Sequence, residues 1–403
     1  MVNDWLGKRL RAVLPRLMRE TGIDLWLVSA REYNEDPVMW SLMPAPMLSA
    51  RRRTILIFAL IGDELEALHA GPPRTGLDDF YTAVWNRDQE DQWQCVARIV
   101  GERDPQSIGV DTGETFAFGD GLSHTEQGLV VAALQGYENR VVSAERLAVG
   151  WLERRLPEEI TVADGINRFA QAVIAEAFSP AAIHPGVTTA ADVSWWLRQR
   201  ARDAGVDVWF QPSVSVQRRG VDMGDIGITR NVVIEPGDLL HCDFGIKYLG
   251  LCTDTQQLAY IPRPGEQCAP SGLTEALKAA NRLQDIVTGQ FAAGRSGNEV
   301  LKASLDRMKL EGLGGRIYCH PTGTHGHGAG AYIGMYDNQD WVPGRGDYPI
   351  VGDALYSIEL FAQLPVPEWD GQVVKAALEQ IVAFTAAGVN YLGGGRQTEL
   401  HLV

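Results

Sequence analysis

Four carboxylates stand alone inside otherwise apolar, strand-like runs in the second half of the chain, and this restricts the fold more than any other feature. Asp243 follows Leu239, Leu240 and Cys242 and precedes Phe244, while Asp254 leads into Leu258, Ala259, Tyr260 and Ile261. Glu359 interrupts ALYSIELFAQL (354–364), and Glu379 interrupts AALEQIVAF (376–384). A lone buried carboxylate is strongly unfavourable unless something neutralises it. Between the two pairs lies GRIYCHPTGTHGHGAGAYIG (315–334), where glycines surround His325 and His327. Glycine on both sides of an imidazole removes side-chain bulk, so backbone, ligand or metal can approach closely.

If these strands form one curved sheet, the acids and an imidazole converge on its concave face. Any one acid alone is more often paired with an arginine or a backbone amide, and a lone histidine is more often a packed or loop residue. The set points elsewhere. Four carboxylates match the charge of two divalent cations, and oxygen-rich ligation with one nitrogen favours Mn²⁺, with Co²⁺, Fe²⁺ or Zn²⁺ as alternatives.

The rest of the chain bounds the context. Its 403 residues suggest two to three domains. Thirty-six basic against 51 acidic residues give a net charge of −15, and the basic runs are short, so nucleic acid is not an expected partner. Five scattered cysteines without CxxC spacing indicate neither a disulfide framework nor a zinc knuckle. The N-terminus reads as a charged amphipathic helix rather than a signal peptide, and no apolar stretch is long enough to span a bilayer. A cytoplasmic protein without a membrane partner is expected.

Residues 1–155 alternate helix and strand signals: a helix over 10–21, strands over 23–30, 54–61, 64–71 and 107–113, and helices in DQWQCVARIVGE and LVVAALQG. This predicts an α/β domain with a mixed sheet, and no chemical constellation falls in it. A boundary is expected near Pro157, followed by a long helix and then by ADVSWWLRQRARDAG, capped by Thr188 or Thr189. Trp195 and Trp196 are expected to pack in the core. From 206 onward the chain is strand-rich.

The ordered set DFG-x₈-D, GHGxG, SIE and LEQ-x₇-GV, with PGVTTAADV and PGDLL before it, resembles the pita-bread metallopeptidases: aminopeptidase P, prolidase and methionine aminopeptidase. The resemblance covers residues ~160 to 403, and the first domain resembles the creatinase-type N-terminal domain. It implies a 1–155 creatinase-like domain and a 156–403 α+β catalytic domain with a curved antiparallel sheet. It also implies that Asp243 binds one metal, Asp254 and Glu379 bridge both, and His327 and Glu359 bind the second. Glu399 is a rival for the place of Glu379 but lies beyond the expected closing turn.

The implied activity is a two-metal Xaa-Pro dipeptidase on a small peptide substrate, with a bridging hydroxide as nucleophile and Glu359 as proton shuttle. Members of this branch commonly form homodimers through an N-terminal-domain loop; here REYNEDPVMWSLMPAPML (31–48) would expose Trp40, Met43 and Met47. Alternatives are hydrolysis of another amide on the same fold, or a non-catalytic metal-binding protein on that scaffold.

The sequence departs from the family in its substrate shell. An upstream histidine is missing from QRRGVDMGDIGITR, Gly323 replaces another histidine, Ala377 replaces an arginine two residues before Glu379, and LFAQ follows Glu359 in place of Pro-Gly-x-Tyr. His325 and Tyr336 are the expected substitutes as substrate-binding residues, with His325 also a catalytic donor.

Overall fold

A computed structural model describes residues 1–73 and 76–403 and divides the chain into two compact units, Met1–Leu156 and Pro157–Val403. In the first, β1 (Leu25–Arg31), β2 (Arg53–Ile61), β3 (Glu64–His69), β4 (Thr82–Ala83), β5 (Ile108–Val110) and β6 (Val141–Ser143) form a mixed sheet in the order β4-β3-β2-β1-β5-β6. Leu25, Leu27, Ile55 and Ile57 alternate onto one face, where helix Gln92–Arg103 covers them with Val96, Ile99 and Val100. Asp91 caps that helix through a reciprocal capping box with Gln94.

Several local expectations are corrected. The N-terminal helical stretch begins at Val2 and passes through a π-helical segment, Arg9–Val13, before ending at Gly22, whose φ of 68° stops it. The helix expected in LVVAALQG starts earlier, at His124, because Ser123 accepts from the Glu126 amide. Met43, expected to be exposed, is buried at the end of helix Pro37–Leu42, whereas Trp40 is 47% exposed.

The second unit contains β7 (Asp207–Val208), β8 (Ser213–Gln217), β9 (Leu239–Phe244), β10 (Ile246–Tyr248), β11 (Leu251–Cys252) and β12 (Thr255–Tyr260). These are followed by β13 (Gly314–Ile317), β14 (His320–Thr322), β15 (Ala354–Val366), β16 (Gln372–Thr385), β17 (Gly388–Tyr391) and β18 (His401–Leu402). Its nine-stranded sheet runs β13-β15-β16-β12-β9-β8, with β14 on β15, β17 on β16 and β18 on β12. All pairings are antiparallel except β12–β18.

Helices Ser271–Thr288 and Gly297–Leu310 pack against this sheet, burying Leu277, Leu283, Val287 and Leu301 against Tyr356, Ile358 and Leu378. Gln284 reaches from the first helix into the sheet and donates to Ile358 O and Gln380 Oε1, pinning the neighbouring strands from behind. Thr189 caps helix Ala190–Asp203. On that helix Trp195 is not a core residue: it is 61% exposed and lies under the Arg198 guanidinium, which covers its face at 5.3 Å. Among the described residues, no helix is long and apolar enough to cross a membrane.

Candidate metal centre and adjoining cavity

Strand register brings the acids together. Asp243 on β9 faces Gln256 on β12, Gln256 faces Glu379 on β16, and Glu379 faces Glu359 on β15. Directly opposed residues share a face, so these four side chains form one row across four adjacent strands. Asp254 lies two residues before Gln256, on the same side by alternation. His320 on β14 faces Ser357, two residues from Glu359, and so joins the row from its end.

Three overlapping sets of side chains have ligand atoms within 4.8 Å of one another: Asp243, Asp254 and Glu379; His320, Glu359 and Glu379; and Asp254, His320 and His327. His320 Nε2 lies 3.3 Å from Glu379 Oε1, 3.7 Å from Asp254 Oδ2 and 3.8 Å from Glu359 Oε2. Its Nδ1 lies 3.0 Å from the Pro321 carbonyl, which can only accept, so Nδ1 carries a hydrogen. In the neutral ring Nε2 then presents a lone pair to three carboxylates. Nε2 and Asp243 Oδ1 are both buried without a hydrogen-bond partner among the described residues. Lone pairs converging in a buried space call for a cation, and the donor set fits divalent metal.

The electrostatics agree. Asp243, Asp254 and Glu359 are all pushed well above the usual carboxylate range, first by burial and then by the neighbouring Glu379. Desolvation, and secondarily His320, holds His327 down to about 4, so its imidazole is neutral and available as a ligand. Ser357 Oγ donates to Glu379 Oε1 at 2.5 Å. Gln256 Nε2 donates to Glu359 Oε1 at 2.8 Å and to Glu379 Oε2 at 2.9 Å, while its Oε1 pairs with His241 Nε2 at 2.8 Å. These bonds orient the carboxylates.

The glycine-rich segment reaches the centre differently from expectation. His327 joins it beside His320, ring centroids 4.7 Å apart, with the Trp209 indole against its other side at 5.3 Å. A Cβ on Gly326 would lie 2.1 Å from that indole, so the glycine makes room for Trp209 rather than for a metal. His325 belongs to none of the three ligand sets and does not line the adjoining cavity. Its carbonyl accepts from the Gly323 amide, closing a turn with Gly323 at φ 152°, and the chain re-enters the site only at His327. Glu399 is exposed and stands outside the ligand sets, whereas Glu379 is buried within two of them.

His320 was not a sequence candidate for metal, nor were Gln256 and His241 candidates for its support. Period two along the strands carries the missed signal: His241 precedes Asp243 by two positions and Gln256 follows Asp254 by two.

A cavity of about 300 Å³ opens beside the acids. His241, Asp243, Gln256 and Glu359 line it, and Asp225, Ile228, Arg316, Tyr318, Tyr336, Phe361 and Ala377 are among its other lining residues. Tyr336, one of the two expected substrate residues, therefore faces it.

The chain matches the model of metallopeptidase family M24 over residues 166–386. It is 29% identical over 107 residues to the uncharacterised peptidase YqhT of Bacillus subtilis (strain 168), a match spanning 27% of this chain and 28% of that protein. Among solved structures, X-Pro aminopeptidase from Thermotoga maritima MSB8 superposes with a TM-score of 0.67 at 16% identity, over 96% of this chain and all of that one. Xaa-Pro dipeptidase from Bacillus anthracis gives 0.64 at 18%, over 100% of both chains. The N-terminal domain of FACT complex subunit SPT16 from Cicer arietinum gives 0.63 at 12%, over 99% of each. The fold is thus the pita-bread arrangement, preceded in the sequence by an α/β domain.

Proposed function

As the chain belongs to metallopeptidase family M24, we propose that it is a two-metal hydrolase of the Xaa-Pro type, acting as a dipeptidase. One observation carries this reading: the buried, unpartnered His320 Nε2 and Asp243 Oδ1 converge with Asp254, Glu359 and Glu379 beside a cavity of dipeptide size. Asp243, Asp254, Glu359, Glu379 and His320 would hold two divalent cations, Mn²⁺ best matching the donors, with His327 next to them. When bound, such ions supply Lewis acidity toward a carbonyl oxygen and acidify water.

The chain's own residues do the rest. Glu359 lies at the boundary between the acidic row and the cavity, and its elevated pKa suits it to take a proton and return it to the departing nitrogen. Gln256 keeps that carboxylate aimed. A prolyl nitrogen carries no N–H in the peptide, so the substrate is held by the shape of the cavity and by its charged ends. Phe361, Ile228 and Tyr336 supply apolar wall.

A second reading, a non-catalytic protein on this scaffold, draws on the missing family histidine and arginine and on the comparable superposition of a domain described as part of a FACT complex subunit. A panel of Xaa-Pro dipeptides with the Mn²⁺-loaded protein separates the two. Cleavage that disappears with chelator and returns with Mn²⁺ supports the dipeptidase; two bound metals without any cleavage favour the scaffold.

A further inference from the structure

The cavity wall carries a cation, Arg316, that no acid contacts directly, although the Asp225 carboxylate, held by Lys375, lies close enough to feel its charge. Arg316 makes no ion pair among the described residues; its Nη1 donates to the Tyr336 carbonyl at 2.5 Å. The guanidinium sits over the Tyr336 ring at 5.0 Å and near the Phe361 ring at 5.9 Å. Asp225, which also lines the cavity, is paired with Lys375 Nζ at 2.9 Å. Such stacking fixes the plane of the guanidinium fork and leaves its remaining N–H groups to a ligand.

Register gives this position its meaning. Arg316 faces Phe361, and Phe361 faces Ala377, so the three form one row across β13, β15 and β16. That row lies two residues along β15 and β16 from the Glu359–Glu379 pair, a step of about 7 Å. In a dipeptide, the scissile carbonyl and the terminal carboxylate are one residue apart, about 4 Å. One hydrogen bond of about 3 Å completes the distance. Ala377 is small and buried, and leaves the end of the row open to a side chain arriving from β13.

We propose that Arg316 binds the free α-carboxylate of the substrate, making this a site for dipeptides that discriminates against C-terminally blocked or extended peptides. This rests on the dipeptidase reading for its choice of ligand.

The test compares Ala-Pro with Ala-Pro-amide on the Mn²⁺-loaded full chain. The wild type should favour the free acid in kcat/KM by roughly 10- to 100-fold, the span for one charge-assisted hydrogen-bonded pair. Arg316→Ala should remove that preference mainly through KM, and Arg316→Lys should restore part of it. Adding Ala377→Arg to Arg316→Ala, which returns a guanidinium to the same row, should restore it further. A preference that survives Arg316→Ala with metal content intact overturns the inference, as does a wild type indifferent to the amide. If neither compound is cleaved, the dipeptidase reading fails separately, and calorimetric titration of the same pair decides. Tighter binding of the acid, lost in Arg316→Ala, upholds the carboxylate site, and equal binding rejects it.

Discussion

Gln256 and Glu379 face each other across β12 and β16, and the amide of the first donates to the carboxylate of the second at 2.9 Å. The same nitrogen serves Glu359, and the amide oxygen is engaged by His241. Only one orientation of the amide satisfies all three contacts. A neutral side chain therefore sits in the acidic row, adding donors without adding charge.

Replacing Gln256 by Leu should preserve the fold and the metal content of the wild type yet lower kcat by roughly 10- to 100-fold, the usual effect of losing a group that orients metal ligands. KM should change less than kcat. Gln256→Asn, which keeps the amide but is one methylene shorter, should recover little. Normal turnover in Gln256→Leu would show that the carboxylates hold their positions without it.

His320 and His327 are separated by the same logic. His320 Nε2 approaches three carboxylates within 4 Å, while His327 shares only one of the three ligand sets. His320→Ala should bind less metal than the wild type and abolish hydrolysis, and His327→Ala should retain more metal. Metal analysis after gel filtration checks this, and the opposite ranking would return the ligand role to His327.

Much of this centre could be read from the chain because its acids break the apolar period of strands, and that period survives in the sequence. Asp243, Asp254, Glu359 and Glu379 stand out for that reason. His320 did not, because HPT is too short to show alternation, and its strand exists only through pairing with β15. His325 and His327 stand two residues apart in one glycine-rich run, and the fold separates them: His327 joins a ligand set against the Trp209 indole, while the His325 carbonyl closes a turn with Gly323. Trp195 looked apolar enough for the core, but propensity does not say which face of a helix receives cover. Helix starts shifted where caps such as Ser123 lay upstream of the hydrophobic run.

The last-ligand assignment is open to direct test. Glu379→Gln and Asp254→Asn each remove a charge from the buried row and should abolish hydrolysis with reduced metal. Glu399→Gln changes an exposed group outside the row and should behave nearly as wild type. A silent Glu379→Gln would displace Glu379 from the centre.

Metal removal should make stability fall with rising pH. Burial and mutual repulsion raise Asp243, Asp254 and Glu359 above their ordinary values of 3.8 and 4.5, so the metal-free folded state binds more protons than the unfolded chain over the interval above those values. The stability these protons support is complete below the unfolded pKa and is lost as pH rises through the folded one. Cations replace the protons, so the rise in Tm caused by Mn²⁺ should be larger at about pH 8 than at about pH 5. Thermal melts of chelator-treated protein, with and without Mn²⁺, measure it. A metal-free Tm that climbs over this interval would contradict the assignment of these acids as buried groups whose pKa values burial and mutual repulsion raise.

Assembly is expected to depend on residues 31–48. Tyr33 is 89% exposed and Leu48 84%, and Trp40 is about half exposed on helix Pro37–Leu42, so one short segment offers three large apolar groups to solvent. Tyr33 also holds a left-handed φ of 70°, a conformation unfavourable for an aromatic residue. Apolar groups clustered in this way are typical of protein interfaces, where aromatic anchors contribute most of the binding energy. Sedimentation at micromolar concentration should therefore show a homodimer. Trp40→Asp combined with Leu48→Asp should shift it to monomer while leaving the thermal melt of each protomer cooperative, because neither side chain belongs to the buried core. A wild type that sediments as a monomer would rule the dimer out.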